Sequence, residues 1–315
     1  MNKLSIVMYH YVRDLKKSRY PEIKGLSFEL FKEQIDFLKK NYTILSAYDL
    51  FDSLRTGSNL PSNAALLTFD DGYLDHFQYV FPVLDKKKLS ACFFPPVKCI
   101  MDRKLLSVNK IHFILASVSD KKRLVDYICQ SIDSAEPKLG LPKSEFLLNK
   151  LAKPSRFDTA DVIFIKRTLQ RDLPEEFRDT LVDNLFHKFV TIDEIAFAQE
   201  VYMTMEQVEC LQRNGMYVGS HGYDHYWLNT LSPFKLEHEI DRSLEFLKEI
   251  GSSTREWIMC YPYGAYNEDV ISLLKTKHCT LAVTTEPRIA LWKQDDRLTL
   301  PRLDTNDILE IQRTE

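Results

Sequence analysis

Two carboxylates, Asp70 and Asp71, stand side by side at the end of the apolar run Leu66-Leu67-Thr68-Phe69 and just before Gly72. An apolar run stopped by glycine reads as a buried strand that hands its last residues to a strand-to-helix turn. Two acids in one dry pocket would repel each other, so a pair at such a turn calls for different partners, a cation for one and a mobile proton for the other. The plainer alternative is that the pair caps the following helix. A second stretch weighs against it: Ser220-His221-Gly222-Tyr223-Asp224-His225 also follows an apolar run, Met216-Tyr217-Val218-Gly219. On a helical turn, His221 and His225 project from one face. Two imidazoles and a carboxylate from elsewhere then make three ligands of a divalent metal, with a fourth position open to water.

At these residues the chain resembles a known family. The motifs TFDDGY (68–73), SHGYDH (220–225) and CYPYGAYN (260–267) resemble those of carbohydrate esterase family 4, the NodB-like polysaccharide deacetylases, and they occur in the family's order. MYHYVRD (8–14), AVTTEPR (282–288) and LPRLD (300–304) resemble one branch of it, with YH near the first strand and a YPYG motif. The similarity covers the two ends of the chain and leaves the middle uncovered. It implies an α/β fold, a distorted (β/α) barrel of the NodB type with about seven parallel strands, and metal-dependent hydrolysis of a linear amide. Carried over residue by residue, Asp70 is the general base, Asp71, His221 and His225 hold the metal, and Tyr263 offers a backbone N–H to the oxyanion. Ligand bonds of ~2.0–2.2 Å require both imidazoles to lie within ~5 Å of the Asp71 carboxylate.

Two departures from the family pattern shape the expectations further. Many members carry an arginine in the third motif that orients the base, and the matching position here is Cys260. Arg302, in Leu300-Pro301-Arg302, is the candidate to pair with Asp70 instead. The family's LxHD near the C-terminus, source of the general acid, is missing. His278 falls at the approach to a strand, which leaves His10 or the water on the metal as proton donor.

The elements that must position these groups alternate between strand and helix, as parallel α/β architecture requires. Leu4 to Tyr9 reads as a first strand ending at His10. Ser27 opens a helix with Phe28, Phe31, Ile35 and Leu38 on one face. Ser46 and Asp49 form a capping-box pattern for another helix, which Gly57 can end. Thr204 with Gln207 and Ser232-Pro233 are further helix starts, and strands are expected at 91–94, 257–261 and 280–284. His10, Asp70, Asp71, His221, Tyr261 and Tyr263 all fall at C-terminal strand ends, where a barrel enzyme gathers its site. Between 97 and 199 charged and apolar residues interleave at helical spacing and prolines divide the segment. The expected organisation is therefore a barrel of 1–96 and 200–315 with an all-helical insertion of 97–199, serving as decoration, as a homo-oligomer interface or as a lid.

Composition bounds the rest. The 315 residues, 44% hydrophobic and 28% charged, are those of an ordinary globular chain. A net charge of −3 gives no reason to expect nucleic acid, and no stretch approaches a membrane span. Six cysteines without CxxC spacing and an N-terminus without a signal-type apolar core make the cytoplasm the expected compartment. Zinc is the first expectation for the metal, with iron, cobalt and nickel as alternatives. Tyr73, Tyr223, Tyr261 and Tyr266 lie near the motifs as candidates to stack on a sugar ring, with packing as the other reading. The expected activity is removal of an acetyl or formyl group from an amino sugar, on a nucleotide- or lipid-linked precursor of a surface glycan. The rival from another class is a non-catalytic carbohydrate-binding protein on the same fold, suggested by the missing arginine and histidine.

Overall fold

A computed structural model describes residues 2–135 and 137–314. The chain divides into two compact units, one of residues 1–14, 25–104 and 198–315, the other of residues 15–24 and 105–197.

The first unit is a ring of parallel strands in chain order. They are β1 (Lys3–Tyr9), β2 (Ala64–Asp70), β3 (Cys92–Phe94), β4 (Tyr217–Val218), β5 (Trp257–Cys260), β6 (Cys279–Val283) and β7 (Leu303–Asp304). β1 runs beside β2 from Leu4 opposite Ala64 to Tyr9 opposite Phe69, β2 pairs with β3, and β3 with β4. Two joints are single bridges, Ser220 to Met259 between β4 and β5 and Val283 to Leu300 on the way to β7. β7 closes the ring by pairing Val7 with Leu303 and Met8 with Asp304. Seven parallel segments joined partly by single bridges make the barrel distorted. Every residue of β2 is buried, as befits a parallel strand covered on both faces.

Local sequence explains the helices that cover the ring. Ser27 caps Phe28–Asn41, whose buried Phe31, Ile35 and Leu38 follow helical spacing. Ser46 and Asp49 complete a capping box on Ala47–Thr56, which Gly57 ends in a left-handed conformation, and Thr204 with Gln207 does the same for Met205–Arg213. Pro233–Glu249 starts on Ser232 and buries Leu236, Ile240 and Leu247.

The second unit is built of helices: Ser107–Ser117, Lys121–Asp133, Ser144–Leu151, Ala160–Arg167 and Glu175–Phe189, with Glu194–Val201 reaching its end. Ile111, Ile114, Leu124, Ile128, Phe164 and Leu185 form its apolar interior. Buried Lys110 is satisfied by Asp183 at 2.6 Å and Glu194 at 2.8 Å. Its limits differ from the expected 97–199. Residues 97–104 stay with the barrel because the first turn of Val97–Met101 donates backbone N–H groups to Gly222 and Tyr223, at 3.2 and 2.9 Å. Residues 15–24 join the helices instead, where the Tyr20 ring packs on Phe113 and Phe197 and Lys24 pairs with Asp158 at 2.5 Å.

Candidate active site

The chain turns sharply where β2 ends. Asp71 takes φ +74° and Gly72 φ +66°, two successive left-handed residues, and a Cβ on residue 72 would lie 2.7 Å from that of Pro95. The turn gives the two carboxylates separate partners. Asp70 accepts from Arg302 at both oxygens, at 2.8 and 2.7 Å. Arg302 is itself 1% exposed and uses two further donors on Thr284 O at 2.7 Å and Thr68 Oγ1 at 3.1 Å. Burial alone would raise the Asp70 carboxyl. The Arg302 charge and its hydrogen bonds, with His10 and His221 adding, outweigh burial and bring the pKa down to about 2. His10, just past β1, holds its Nε2 3.8 Å from Asp70 Oδ2 and keeps 41% of its side chain exposed.

Asp71 faces the other way. Its Oδ1 lies 3.3 Å from His221 Nε2 and 3.3 Å from His225 Nε2, well inside the ~5 Å that ligand bonds can bridge. The Nδ1 of His221 sits 2.6 Å from the carbonyl of Cys260, which can only accept, so Nδ1 carries a proton and Nε2 is the ring nitrogen that faces Asp71. The two imidazoles are expected on one helical turn but lie on an irregular loop. Gly222 at φ +75° and His225 at φ +57° leave the right-handed helix, and the loop brings the rings to a centroid distance of 4.8 Å.

These three side chains fit a divalent cation. Asp71 Oδ1 is buried with no hydrogen-bond partner among the described residues, and the three donor atoms all lie within 4.8 Å of one another. Separations of 3.3 Å match the ~3.4 Å edge of a tetrahedron with ~2.1 Å bonds. A second group, Asp70, His221 and Cys260, also converges. Burial pushes the Cys260 thiol up, which disfavours a thiolate ligand there.

Tyr263 lies at φ +58° in the turn Pro262–Gly264, with its ring stacked on Trp227 at 4.6 Å and edge-on to His225 at 4.6 Å. Tyr223 and Tyr266 keep exposed surface; the Tyr223 hydroxyl meets Asp102, and Tyr266 stacks on Tyr261. Two of the four expected substrate tyrosines must be corrected. Tyr73 and Tyr261 are fully buried and have no ring face to offer a sugar. The Tyr73 hydroxyl donates to Asp71 Oδ2 at 2.6 Å, and that of Tyr261 to Leu298 O at 2.9 Å.

Sequence reasoning missed two supporting residues. Glu239 Oε2 accepts the backbone N–H groups of Tyr223 and Asp224, both at 2.9 Å, and so fastens the loop between the imidazoles. Its signal was position, since it falls among Leu236, Ile240 and Ser243 on the buried face of its helix. His76 is fully buried among Phe69, Tyr73 and Phe93, and its Nε2 meets the His10 carbonyl at 2.9 Å.

With this geometry in place, comparison with known proteins returns the same family as the motifs. Residues 173–282 match the polysaccharide deacetylase family model, a segment that holds His221, His225 and Tyr263. A putative polysaccharide deacetylase of Bacillus subtilis is 30% identical over 89 residues, 28% of this chain and 32% of the relative. The poly-beta-1,6-N-acetyl-D-glucosamine N-deacetylase of Escherichia coli is 30% identical over 95 residues, 30% of this chain and 14% of the relative. The matched stretch thus spans a third or less of these curated relatives. Over nearly the whole chain, the structure resembles the Streptococcus pyogenes deacetylase PplD (TM-score 0.57, 17% identity, 98% of this chain and 97% of the other). It is equally similar to IcaB from Ammonifex degensii (TM-score 0.57, 18% identity, 99% and 97%). The fold is the distorted α/β barrel of these deacetylases.

Proposed function

We propose that this chain is a metal-dependent amidohydrolase that removes an N-acyl group, acetyl or formyl, from an amino sugar carried on a nucleotide- or lipid-linked precursor of a surface glycan. The observation that carries the reading is the division of labour at one turn: Asp70 is held ionised beside His10, while Asp71 faces two imidazoles. Asp71, His221 and His225 would hold the metal, zinc first, with iron, cobalt or nickel as alternatives. When bound, such an ion supplies Lewis acidity, acidifying water and polarising an acyl oxygen.

The chain's own groups supply the rest. Asp70 takes a proton from the attacking water as its oxygen adds to the acyl carbon, and Arg302 fixes the carboxylate for that transfer. The Tyr263 backbone N–H donates to the oxygen that gains charge, a contribution typically worth ~3 kcal/mol. His10, with its side chain partly open to solvent beside Asp70, gives a proton to the nitrogen as the C–N bond breaks, leaving a free amine and a carboxylate. Arg302 pairs with Asp70 and His10 lies beside it, which supports the catalytic reading over a non-catalytic carbohydrate-binding protein on the same fold.

Mass spectrometry of N-acetyl and N-formyl amino sugars, incubated with metal-loaded protein, tests the reading. Free, nucleotide-linked, lipid-linked and oligomeric forms belong in the panel, the last because of the name of the Escherichia coli relative. Loss of the acyl group from one of them is expected; a metal-loaded protein inert on the whole panel would sink the proposal.

A further inference from the structure

We propose that Tyr73 is a positioning residue whose hydroxyl fixes the Asp71 carboxylate, so that Oδ1 alone is presented to the cation and Oδ2 is withheld. The inference rests on the reading of Asp71 as a metal ligand and deepens it. The two oxygens of Asp71 stand in different surroundings. Oδ2 accepts from the Tyr73 hydroxyl at 2.6 Å, whereas Oδ1 is buried without a hydrogen-bond partner among the described residues and lies 3.3 Å from each imidazole Nε2.

The hydroxyl is held in place by its ring. Tyr73 is fully buried and stacks on Tyr11 with centroids 3.9 Å apart and planes 17° from parallel. His76 lies edge-on to it at 5.6 Å, and Tyr202 lies near-parallel at 6.4 Å. The backbone is tied as well, by a bridge between Tyr73 and Tyr202 and by Met203 N donating to Gly72 O at 3.0 Å. With ring and backbone both fixed, the carboxylate cannot rotate about its Cβ–Cγ bond without breaking a short buried hydrogen bond.

Two consequences follow for the chemistry. A carboxylate that binds through both oxygens occupies two coordination positions, while one that binds through Oδ1 leaves room for water and the acyl oxygen. An Oδ2 engaged by a phenol also cannot compete with Asp70 for the proton of the attacking water, which accounts for two adjacent acids having one job each. Outer partners of metal ligands commonly carry 10–100-fold in metal affinity or activity.

Tyr73→Phe removes one oxygen and keeps the ring, and Asp71→Asn serves beside it as the ligand control. Competition against a chromogenic chelator should show metal affinity falling ~10–100-fold in Tyr73→Phe, with kcat reduced and KM near that of the parent. The cobalt(II)-loaded variant should lose visible d–d intensity as the carboxylate turns to bind through both oxygens. Parental affinity together with a parental cobalt spectrum in Tyr73→Phe would overturn the proposal. If Asp71→Asn also binds metal as the parent does, the ligand assignment falls with it; if Asp71→Asn loses metal, only the role of Tyr73 falls. Should Tyr73→Phe not fold, 3-fluorotyrosine at position 73 keeps ring and donor but makes the phenol more acidic. It must then shift the cobalt band, and an unmoved band overturns the proposal.

Discussion

Arg302 grips Asp70 with two parallel N–H donors, Nη1 to Oδ1 at 2.8 Å and Nη2 to Oδ2 at 2.7 Å, although 232 residues separate them in the chain. Both partners are buried, so the pair is an orienting device whose halves depend on each other. Arg302→Met leaves the Asp70 charge without its partner, and breaking a buried pair in this way typically costs ~3–5 kcal/mol. Urea unfolding at neutral pH should show a loss of that order. Arg302→Lys keeps a charge but not the planar fork, and it should retain the fold with kcat down by ~10–100-fold. A lysine variant with parental kcat would show that the fork does not orient the base.

Asp70→Asn separates proton transfer from metal binding. The amide keeps the shape of the carboxylate, and Asp71, His221 and His225 are untouched. The variant should therefore hold its metal while turnover falls by the ~10²–10⁴-fold usual for a general base. Metal content by elemental analysis, read beside the rate, checks it; loss of metal in step with the rate would mean that Asp70 is a ligand too.

Much of the site was legible because its chemistry is written in adjacent residues. The acid pair after a fully buried run and the two spaced histidines after another put four groups at or just past strand ends, and the barrel brings those ends together. What the sequence left open depends on long-range packing. Cys260 occupies the expected arginine position, and only the closure of β7 onto β1 delivers Arg302 to Asp70. The helical spacing of His221 and His225 suggested a helix, but Gly222 and His225 at positive φ make a loop that converges the rings by another route. Tyr73 and Tyr261 were legible as aromatic and near the site, whereas their direction, into the core, is fixed by neighbours such as Tyr11 and Leu298. His76 hid because a histidine five residues past an acid pair carries no pattern that marks it as a support for His10.

His76 also makes the stability of the protein pH-dependent. Burial among aromatic rings lowers its pKa to about 4, with the His10 carbonyl and the nearby carboxylates only partly offsetting this. In the unfolded chain the same group titrates near ~6.5, so the unfolded state binds the proton more tightly. The contribution is therefore complete above about 6.5 and is lost as the pH falls toward about 4, a span worth on the order of 3 kcal/mol. Measured at intervals from pH 7.5 to 4.5, the unfolding free energy of the parent should fall relative to that of His76→Phe. Parallel curves would assign the acid sensitivity to other groups.

Glu239 gives the last test, because its two roles, hydrogen-bond acceptor and charge, can be separated by substitution. Its Oε2 holds the N–H groups of Tyr223 and Asp224 at 2.9 Å each, and a Cβ on residue 222 would come within 3.1 Å of that oxygen, in a residue already at φ +75°. Burial first, and the Asp224 charge with it, pushes the Glu239 carboxyl up to about 7 against the pull of the two N–H bonds. A raised carboxyl stabilises the fold fully below its unfolded pKa of ~4.3 and loses that contribution as the pH climbs through about 7. Glu239→Gln keeps an oxygen for both N–H groups and cannot ionise, so its metal affinity should match the parent while its stability gains on the parent's as the pH rises from 4.5 to 7. Glu239→Ala strands both donors, at ~1–3 kcal/mol for each buried group left unpaired, and frees the loop that spaces His221 from His225. Its metal affinity should fall along with its stability. Equal metal affinity in the alanine and glutamine variants would show that the loop holds its shape without Glu239.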